Sequence, residues 1–562
     1  MHTPPAFTGP LGHAPRFEMH DMIILYNAKI HAPVQCTAIA IRGDRIVALG
    51  SDSEIRRLAE PGAEQIDLKG ALVLPGLTDS HLHFEWFSIG LSFVDVETDT
   101  LDEALRRVAE RAAVTPKGQW IRGHGWNYTR WGDSFPTAAQ LDSVAPDHPV
   151  YLTAKSMHMA WCNSLALQLA GITSETPDPP GGALTRDANG NPAGTLAETA
   201  MDLMSARSYT APDKTTQAAI PQHTAEDVAR AMIAGQERAW KVGLTGVHDF
   251  DGVRSFTAWQ SLRERGEQGL RVVKTIPVAY LDHAVALGLR SGFGDKWIRI
   301  GNVKIFADGA LGPKTAAMIE PYEDDPNNYG LVVTDKEEIY ERGSLAAKNG
   351  LALTVHAIGD KANHDLLDVY ETLRSEEKER IANYQLPRLR HRAEHLQVVH
   401  PNDAHRLTRH DIIGSVQPIH ATSDMLMVDK FWGKRGVGAY AWRAQLNYGT
   451  RLTFGSDTPV EPINPFWGIH AAVTRRRADG SPGPEGWYPD QRLTVAEAID
   501  GYTKAPAYAG YNETDLGIIG LGKLADLTIV DRDLFSCPPM DIRDTVVLGT
   551  IVGGGFMYRG NL

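Results

Sequence analysis

Eight apolar, β-branched runs, separated by stretches of helical periodicity, order most of the chain: Leu72–His83, Gly243–Phe250, Leu270–Tyr280, Ile298–Gly309, Leu351–Gly359, Leu389–Gln397, Ile412–Ile419 and Arg451–Pro459. Runs this uniformly apolar suit strands covered on both faces, and strands that alternate with helices form a parallel sheet. Eight such units predict an α/β fold, a (β/α)8 barrel, which needs about 250 residues. The surplus lies between the first two runs. It predicts an inserted α+β subdomain with its own strands at Trp120–Arg122 and Val150–Leu152. Short alternating segments at Met22–Tyr26, Ala38–Ile41 and Arg45–Leu49 share their texture with Ala525–Val530, Thr545–Leu548 and the stretch around Met557–Tyr558. They predict a small β-sandwich built from both termini. The resulting plan is 1–70 for the first part of the sandwich, 71–84 for barrel strand 1, 85–242 for the insertion, 243–510 for the rest of the barrel, and 511–562 for the closing part of the sandwich. Pro-, Gly- and Asp-rich loops at Ser174–Gly194, Glu320–Gly330 and Ala478–Gln491 are candidate lids.

Composition narrows the function classes. A formal net charge of −13 argues against a nucleic-acid partner, which needs a basic surface. The longest apolar runs fall short of the roughly 18 residues of a membrane span, and Met1–Phe17 lacks the apolar core of a signal peptide. The three cysteines, Cys36, Cys162 and Cys537, are far apart and form no disulfide framework or zinc knuckle. These features predict a cytoplasmic protein acting on a small molecule, with homo-oligomer formation left open.

The chemistry is concentrated where the strands end. Run one stops at His81 and His83, whose side chains share one face because strand residues alternate. With 21 histidines in the chain, roughly 0.8 such pairs arise by chance, so position gives the pair its weight. Run four ends in Lys304 and Asp308, run five in His356, run six in His395, and run eight in Asp457. Taken singly, a strand-end histidine is more often structural, and an Asp before Thr-Pro is more often a turn residue. On a barrel they converge on the carboxyl edge, where such folds keep their active sites. Neutral imidazoles and carboxylates suit zinc, and two ions about 3.5–4 Å apart need an anionic bridge. A desolvated lysine has a depressed pKa and can take up carbon dioxide as a carbamate.

At these residues the sequence resembles the amidohydrolase superfamily, in particular the amidohydrolase family 3 branch that includes N-substituted formamide deformylases. The shared motifs are Pro75-Gly76-Leu77 with Asp79-Ser80-His81-Leu82-His83, Lys304 to Gly312, His356-Ala357-Ile358-Gly359-Asp360, Arg392-Ala393-Glu394-His395, Ser415-Val416-Gln417-Pro418 and Phe454 to Pro459. Gly125-Trp126-Asn127, Gly194 to Glu198 and Gly522 to Leu527 also match. One departure is Ala393, where an isoleucine is expected. The resemblance implies two divalent ions, with zinc the expected metal. His81, His83 and Asp457 hold one, His356 and His395 the other, and carbamylated Lys304 bridges them. It also implies a metal-activated hydroxide that attacks a carbonyl, with Asp457 moving the proton to the departing nitrogen of a non-peptide C–N bond.

Aromatics in the insertion (Trp126, Tyr128, Trp131 and Trp161), with Phe84, Trp86 and Phe87 just after the histidine pair, suggest a substrate with an apolar or aromatic substituent, although they equally suit the insertion's own core. Trp126, Asn127, His158 and Asp308 are the candidate substrate contacts, and His124 is read as structural. A lactonase, esterase or deaminase using the same site, and a non-catalytic metal-binding barrel, are the alternatives.

Overall fold

The computed structural model describes residues 22–132, 134–155, 159–179, 182–204, 219–220, 223–384 and 387–562. The chain forms two compact units, one comprising residues 1–84 and 232–562 and the other residues 85–231.

The larger unit contains an eight-stranded parallel sheet: β1 Leu77–Leu82, β2 Leu244–Asp249, β3 Arg271–Pro277, β4 Ile298–Phe306, β5 Leu353–Ala357, β6 Arg392–His395, β7 Ile413–Val416 and β8 Leu452–Phe454. Each strand pairs with its sequence neighbour, so every one of the eight apolar runs supplies one strand of a (β/α)8 barrel. The β8–β1 seam is closed at the end of β8 and just beyond it by other bonds. Ser80 Oγ donates to Phe454 O at 2.7 Å, Asp457 N to His81 O at 2.7 Å, and His83 N to Thr458 O at 2.9 Å.

The first run is divided between two sheets, which corrects the expected span of barrel strand 1. Leu72–Pro75 pairs antiparallel with Leu527–Val530, and only Leu77–Leu82 enters the barrel. The break is dictated locally. Proline has no N–H to continue a ladder, and a Cβ on Gly76 would lie 2.3 Å from Thr245 Oγ1. Leu72–Pro75 thus joins a five-stranded sheet with Lys29–Ile30, Leu527–Val530, Val547–Val552 and Gly555–Arg559. A four-stranded sheet of Met22–Tyr26, Ala38–Arg42, Arg45–Gly50 and Glu64–Asp67 completes the terminal sandwich. Ile23, Leu25, Ile39 and Ile41 from one sheet share a core with Val73, Leu527, Ile529 and Ile551 from the other. Arg271, at the start of β3, ties this sandwich to the barrel through a buried two-pronged bond to Asp526, at 2.5 and 2.8 Å.

The insertion is a mixed six-stranded sheet. Ile121–Trp126 and Val150–Ala154 lie parallel within it, and Gly182–Arg186 forms an antiparallel pair with Pro192–Glu198 at one edge. That edge hairpin replaces the lid expected over Ser174–Gly194.

Candidate metal centre

β1 builds half of the site by alternation alone. Asp79, His81 and His83 share a face, and each is then fixed by backbone. Asp79 accepts from Ser456 N through both oxygens at 3.1 Å and from His81 N at 3.1 Å, clasping β1 to the segment that follows β8. Gly455 is required there, since a Cβ would approach His81 N to 2.6 Å. Asp457, held at φ +58 by this pairing, brings Oδ1 within 3.5 Å of Nε2 of both His81 and His83. His395 ends β6 at φ +69, and its ring centroid is 4.9 Å from that of His81 and 4.4 Å from that of His356.

Buried acceptors set the tautomers. His81 Nδ1 donates to Glu394 Oε2 at 2.5 Å, His83 Nδ1 to Asp251 Oδ1 at 3.1 Å, and His395 Nδ1 to Gln417 Oε1 at 2.9 Å. When neutral, all three therefore present Nε2 as a lone pair, the usual way in which an outer carboxylate or amide orients a metal-binding histidine. His356 has the opposite tautomer. Its Nε2 donates to Gly309 O at 2.9 Å, leaving Nδ1 free to ligate. Burial first, and then the Lys304 charge, drive the His81 imidazole far below its ordinary value and that of His356 to about 3. Burial does the same to His395, aided by its imidazole neighbours. These rings are neutral at pH 7, the form that binds metal. His83 differs: burial opposes its charge, but Asp251 and Asp457 outweigh that and raise its pKa. Burial also raises Asp457 to about 6 and lowers Lys304 to about 8.

One nitrogen each from His81 and His395 and one oxygen of Asp457 lie within 4.8 Å of one another, and this is the one such group among the described residues. The His81–Asp457 pair fits a zinc-like ion: bonds of about 2.1 Å at tetrahedral angles separate two donors by about 3.4 Å, against the 3.5 Å from Asp457 Oδ1 to His81 Nε2 and, outside this group, to His83 Nε2. The group cuts across the division that the resemblance implies, taking His81 and Asp457 from one proposed ion and His395 from the other. Lys304 Nζ lies 4.9 Å from the ring centroid of Phe250 and 4.7 Å from that of Phe306.

The candidate substrate contacts fare differently. Trp126 is fully buried in the insertion, donates to Leu152 O at 2.8 Å and packs with Trp131 and Trp161. These rings form the insertion's core, because only there are their large apolar faces removed from water. Asn127 occupies the turn that follows, with its carbonyl accepting from Arg130 N at 3.1 Å. His124 bonds Thr153 Oγ1 at 3.0 Å, in a structural role. His158 lies outside the described residues. Asp308 is buried with both oxygens engaged, accepting from Ile358, Ala317 and Gly359 N–H at 3.0, 2.9 and 2.8 Å. Sequence reasoning missed Glu394, Asp251 and Gln417 as orienting groups. For Glu394 the signal existed, since it shares a strand face with Arg392 and immediately precedes a ligand.

A parallel barrel that gathers neutral imidazoles and a carboxylate at its carboxyl edge is the equipment of a metal-dependent hydrolase. The chain belongs to the amidohydrolase family, whose model matches residues 64–558. It is 33% identical over 538 residues to Protein LONG AFTER FAR-RED 3 of Arabidopsis thaliana, covering 93% of this chain and 88% of that one. It is 29% identical over 563 residues to N-substituted formamide deformylase of Arthrobacter pascens, covering 96% and 99%. Among solved structures, an uncharacterized metal-dependent hydrolase from Pyrococcus furiosus superposes with a TM-score of 0.73 at 29% identity, covering 92% of this chain and 100% of that one. The protein is an enzyme of the carbon–nitrogen hydrolase class, with its metal site at His81, His395 and Asp457. No helix among the described residues is long and apolar enough to cross a membrane.

Proposed function

We propose that the enzyme hydrolyses a small N-substituted formamide or amide, using two zinc ions held by His81, His83, Lys304, His356, His395 and Asp457, with Lys304 carbamylated as their bridge. Likeness to a formamide deformylase over nearly the full length of both chains supports the substrate class. The observation that carries the reaction is Asp457, whose Oδ1 stands 3.5 Å from two imidazole nitrogens while burial holds its carboxyl at about 6. Bound there, zinc supplies Lewis acidity and lowers the pKa of water from 15.7 to about 7. Asp457 takes a proton from the attacking water and returns it to nitrogen as the C–N bond breaks. A carboxyl near neutrality suits both halves of that transfer. Glu394, Asp251 and Gln417 keep three imidazole lone pairs aimed inward throughout.

The Lys304 amine, lowered to about 8 by burial, spends part of its time unprotonated at neutral pH. It then adds to carbon dioxide: an N–C bond forms, a proton leaves, and the lysine ends in a carboxylate. Asp308, with its oxygens filled by backbone N–H groups, we assign to holding the β4 and β5 loops rather than to substrate. We place the enzyme in the cytoplasm, where three free cysteines are at home.

Elemental analysis of protein purified without chelator tests the centre. Two zinc per chain is expected, and Lys304→Ala loses both metal and activity, with short carboxylic acids restoring part of each. A Lys304→Ala protein that keeps both rules out the bridge, and one zinc per chain replaces it with a single ion on His81, His395 and Asp457. No metal after reconstitution sinks the catalytic reading.

A further inference from the structure

An aromatic ring beside Lys304, at the carboxyl mouth of the barrel, is left in water. Phe306 closes β4 two residues after Lys304, so the two side chains share a face, and its backbone pairs in register with His356 on β5. Its ring centroid lies 5.2 Å from that of the His356 imidazole and 4.7 Å from Lys304 Nζ, yet 46% of the residue is exposed. Phe250 is the contrast. It approaches the same amine at 4.9 Å and stacks on His81 at 3.8 Å with 8° between the planes, but only 5% of it is exposed. Of the two rings near Lys304, Phe250 is therefore part of the packed wall and Phe306 is open. The chain also returns beside Phe306. Val333 N donates to Ala307 O at 2.9 Å, Val332 bridges Asp308, and Leu331, Val332 and Val333 are each about half exposed.

Apolar surface left in water beside a cluster of polar, reactive groups is the usual character of a ligand site. We propose that Phe306 is a specificity-determining residue, the surface that receives an apolar and preferably aromatic substituent of the substrate, with Leu331 and Val332 extending it. The proposal rests on the reading that the substrate is a small N-substituted amide or formamide. It moves the aromatic recognition expected of Trp126, Trp131 and Trp161 to a ring outside the insertion. The position favours substrate over a protein partner, since any molecule reacting at His356 and Lys304 must arrive within a few ångströms of this ring. Covering its exposed half removes on the order of 90 Å² of apolar surface from water, which would give about 40-fold in affinity if converted in full; the cost of ordering the substituent brings this to about 10- to 30-fold.

The test is isothermal titration of the full-length zinc-loaded protein with benzylacetone and butanone. These are the ketone isosteres of N-benzylacetamide and N-methylacetamide, in which a methylene replaces the amide nitrogen, so binding is read without turnover. The wild type is expected to favour benzylacetone by about 10- to 30-fold. Phe306→Ala narrows that preference to about 3-fold or less at unchanged zinc content, and Phe306→Leu retains an intermediate preference. If Phe306→Ala disturbs the metal, Phe306→Leu decides, because it keeps an apolar side chain of similar bulk. Equal binding of the two ketones by wild type overturns the proposal, as does an unchanged preference in a variant with wild-type zinc. A wild type that shows the preference but hydrolyses neither N-benzylformamide nor N-benzylacetamide keeps the assignment of Phe306 and refutes the proposed reaction.

Discussion

The two ends of the same barrel bury charge in opposite ways. At the amino end, Arg374 donates from all three of its nitrogens: to His410 O at 2.8 Å, to Glu377 and Leu389 O at 2.8 Å, and to Asp411 O at 2.9 Å. These carbonyls lead into β6 and β7. Burial alone would raise the Glu377 carboxyl, but bonds from His391 and Arg374 overcome it and hold it at about 2. At the carboxyl end burial wins instead, leaving Asp457 at about 6 and Lys304 at about 8. Amino-end charges are completed within the chain, which is how a fold is stabilised. Carboxyl-end charges are pushed toward neutrality with their donors aimed at one another, which is how a site waits for an ion and a substrate.

The largest expected effect follows from that contrast. Asp457→Asn lowers kcat by about 10²- to 10⁴-fold, the range of a lost general acid–base group. After chelation, its melting temperature is no lower than that of wild type, because the buried carboxylate it replaces contributes nothing favourable to the metal-free fold. A melt several degrees lower breaks the comparison. Next, Arg374→Ala costs about 3–5 kcal/mol, as expected when one partner of a buried pair is removed. The loss appears in thermal unfolding of the larger unit, and activity per folded molecule is unchanged.

The same two carboxylates give opposite pH dependences in the chelated protein. Glu377 titrates lower folded than unfolded, so its contribution, up to ~3 kcal/mol, is complete above its ordinary value near 4.5 and fades as pH falls toward 2. Asp457 titrates higher folded than unfolded. It weighs against the fold above about 6, and that penalty is relieved as pH falls from there toward 4. Unfolding followed from pH 7 to 2 is therefore less steep on the acid side for Glu377→Gln than for wild type. For Asp457→Asn, the gain on moving from pH 7 to 5 disappears. Two curves that move together would mean that both ends bury charge alike.

Much of this was legible in the chain, for reasons that differ by region. Parallel strands covered on both faces leave long apolar runs, so all eight barrel strands could be read, and the polar residues that end them stood out as site candidates. The division of Leu72–His83 between two sheets could not be read in the same way, because Pro75-Gly76 inside an apolar run looks like a bulge until Thr245 is seen to leave no room for a Cβ. The insertion's tryptophans stayed open to two readings for a simple reason. Aromatic residues suit a pocket and a core equally, and local pattern does not separate the two; burial does. Phe306 was passed over because it reads as one more apolar residue of a strand, and only its exposure sets it apart from Phe250.

Glu394 sharpens the comparison most finely, because it is a carboxyl-end residue completed in the amino-end manner. Burial would raise its carboxyl, yet Arg392 and Lys304 hold it below its ordinary value. It accepts from Arg392 Nε at 2.7 Å and Nη2 at 3.1 Å, from Thr354 Oγ1, and from His81 Nδ1 at 2.5 Å. Glutamine keeps the shape but offers one acceptor oxygen where these donors need two. Either an Arg392 nitrogen loses its partner, or the amide N–H faces His81 Nδ1 and moves the imidazole proton to Nε2, the nitrogen that must bind metal. Both outcomes weaken the centre without removing a ligand. Glu394→Gln is thus expected to lower zinc affinity by about 10- to 100-fold in a chelator competition, while kcat at saturating zinc stays within a few-fold of wild type. A variant that binds zinc normally but turns over slowly would instead make Glu394 part of the proton path, and Asp457 would no longer suffice as its sole carrier.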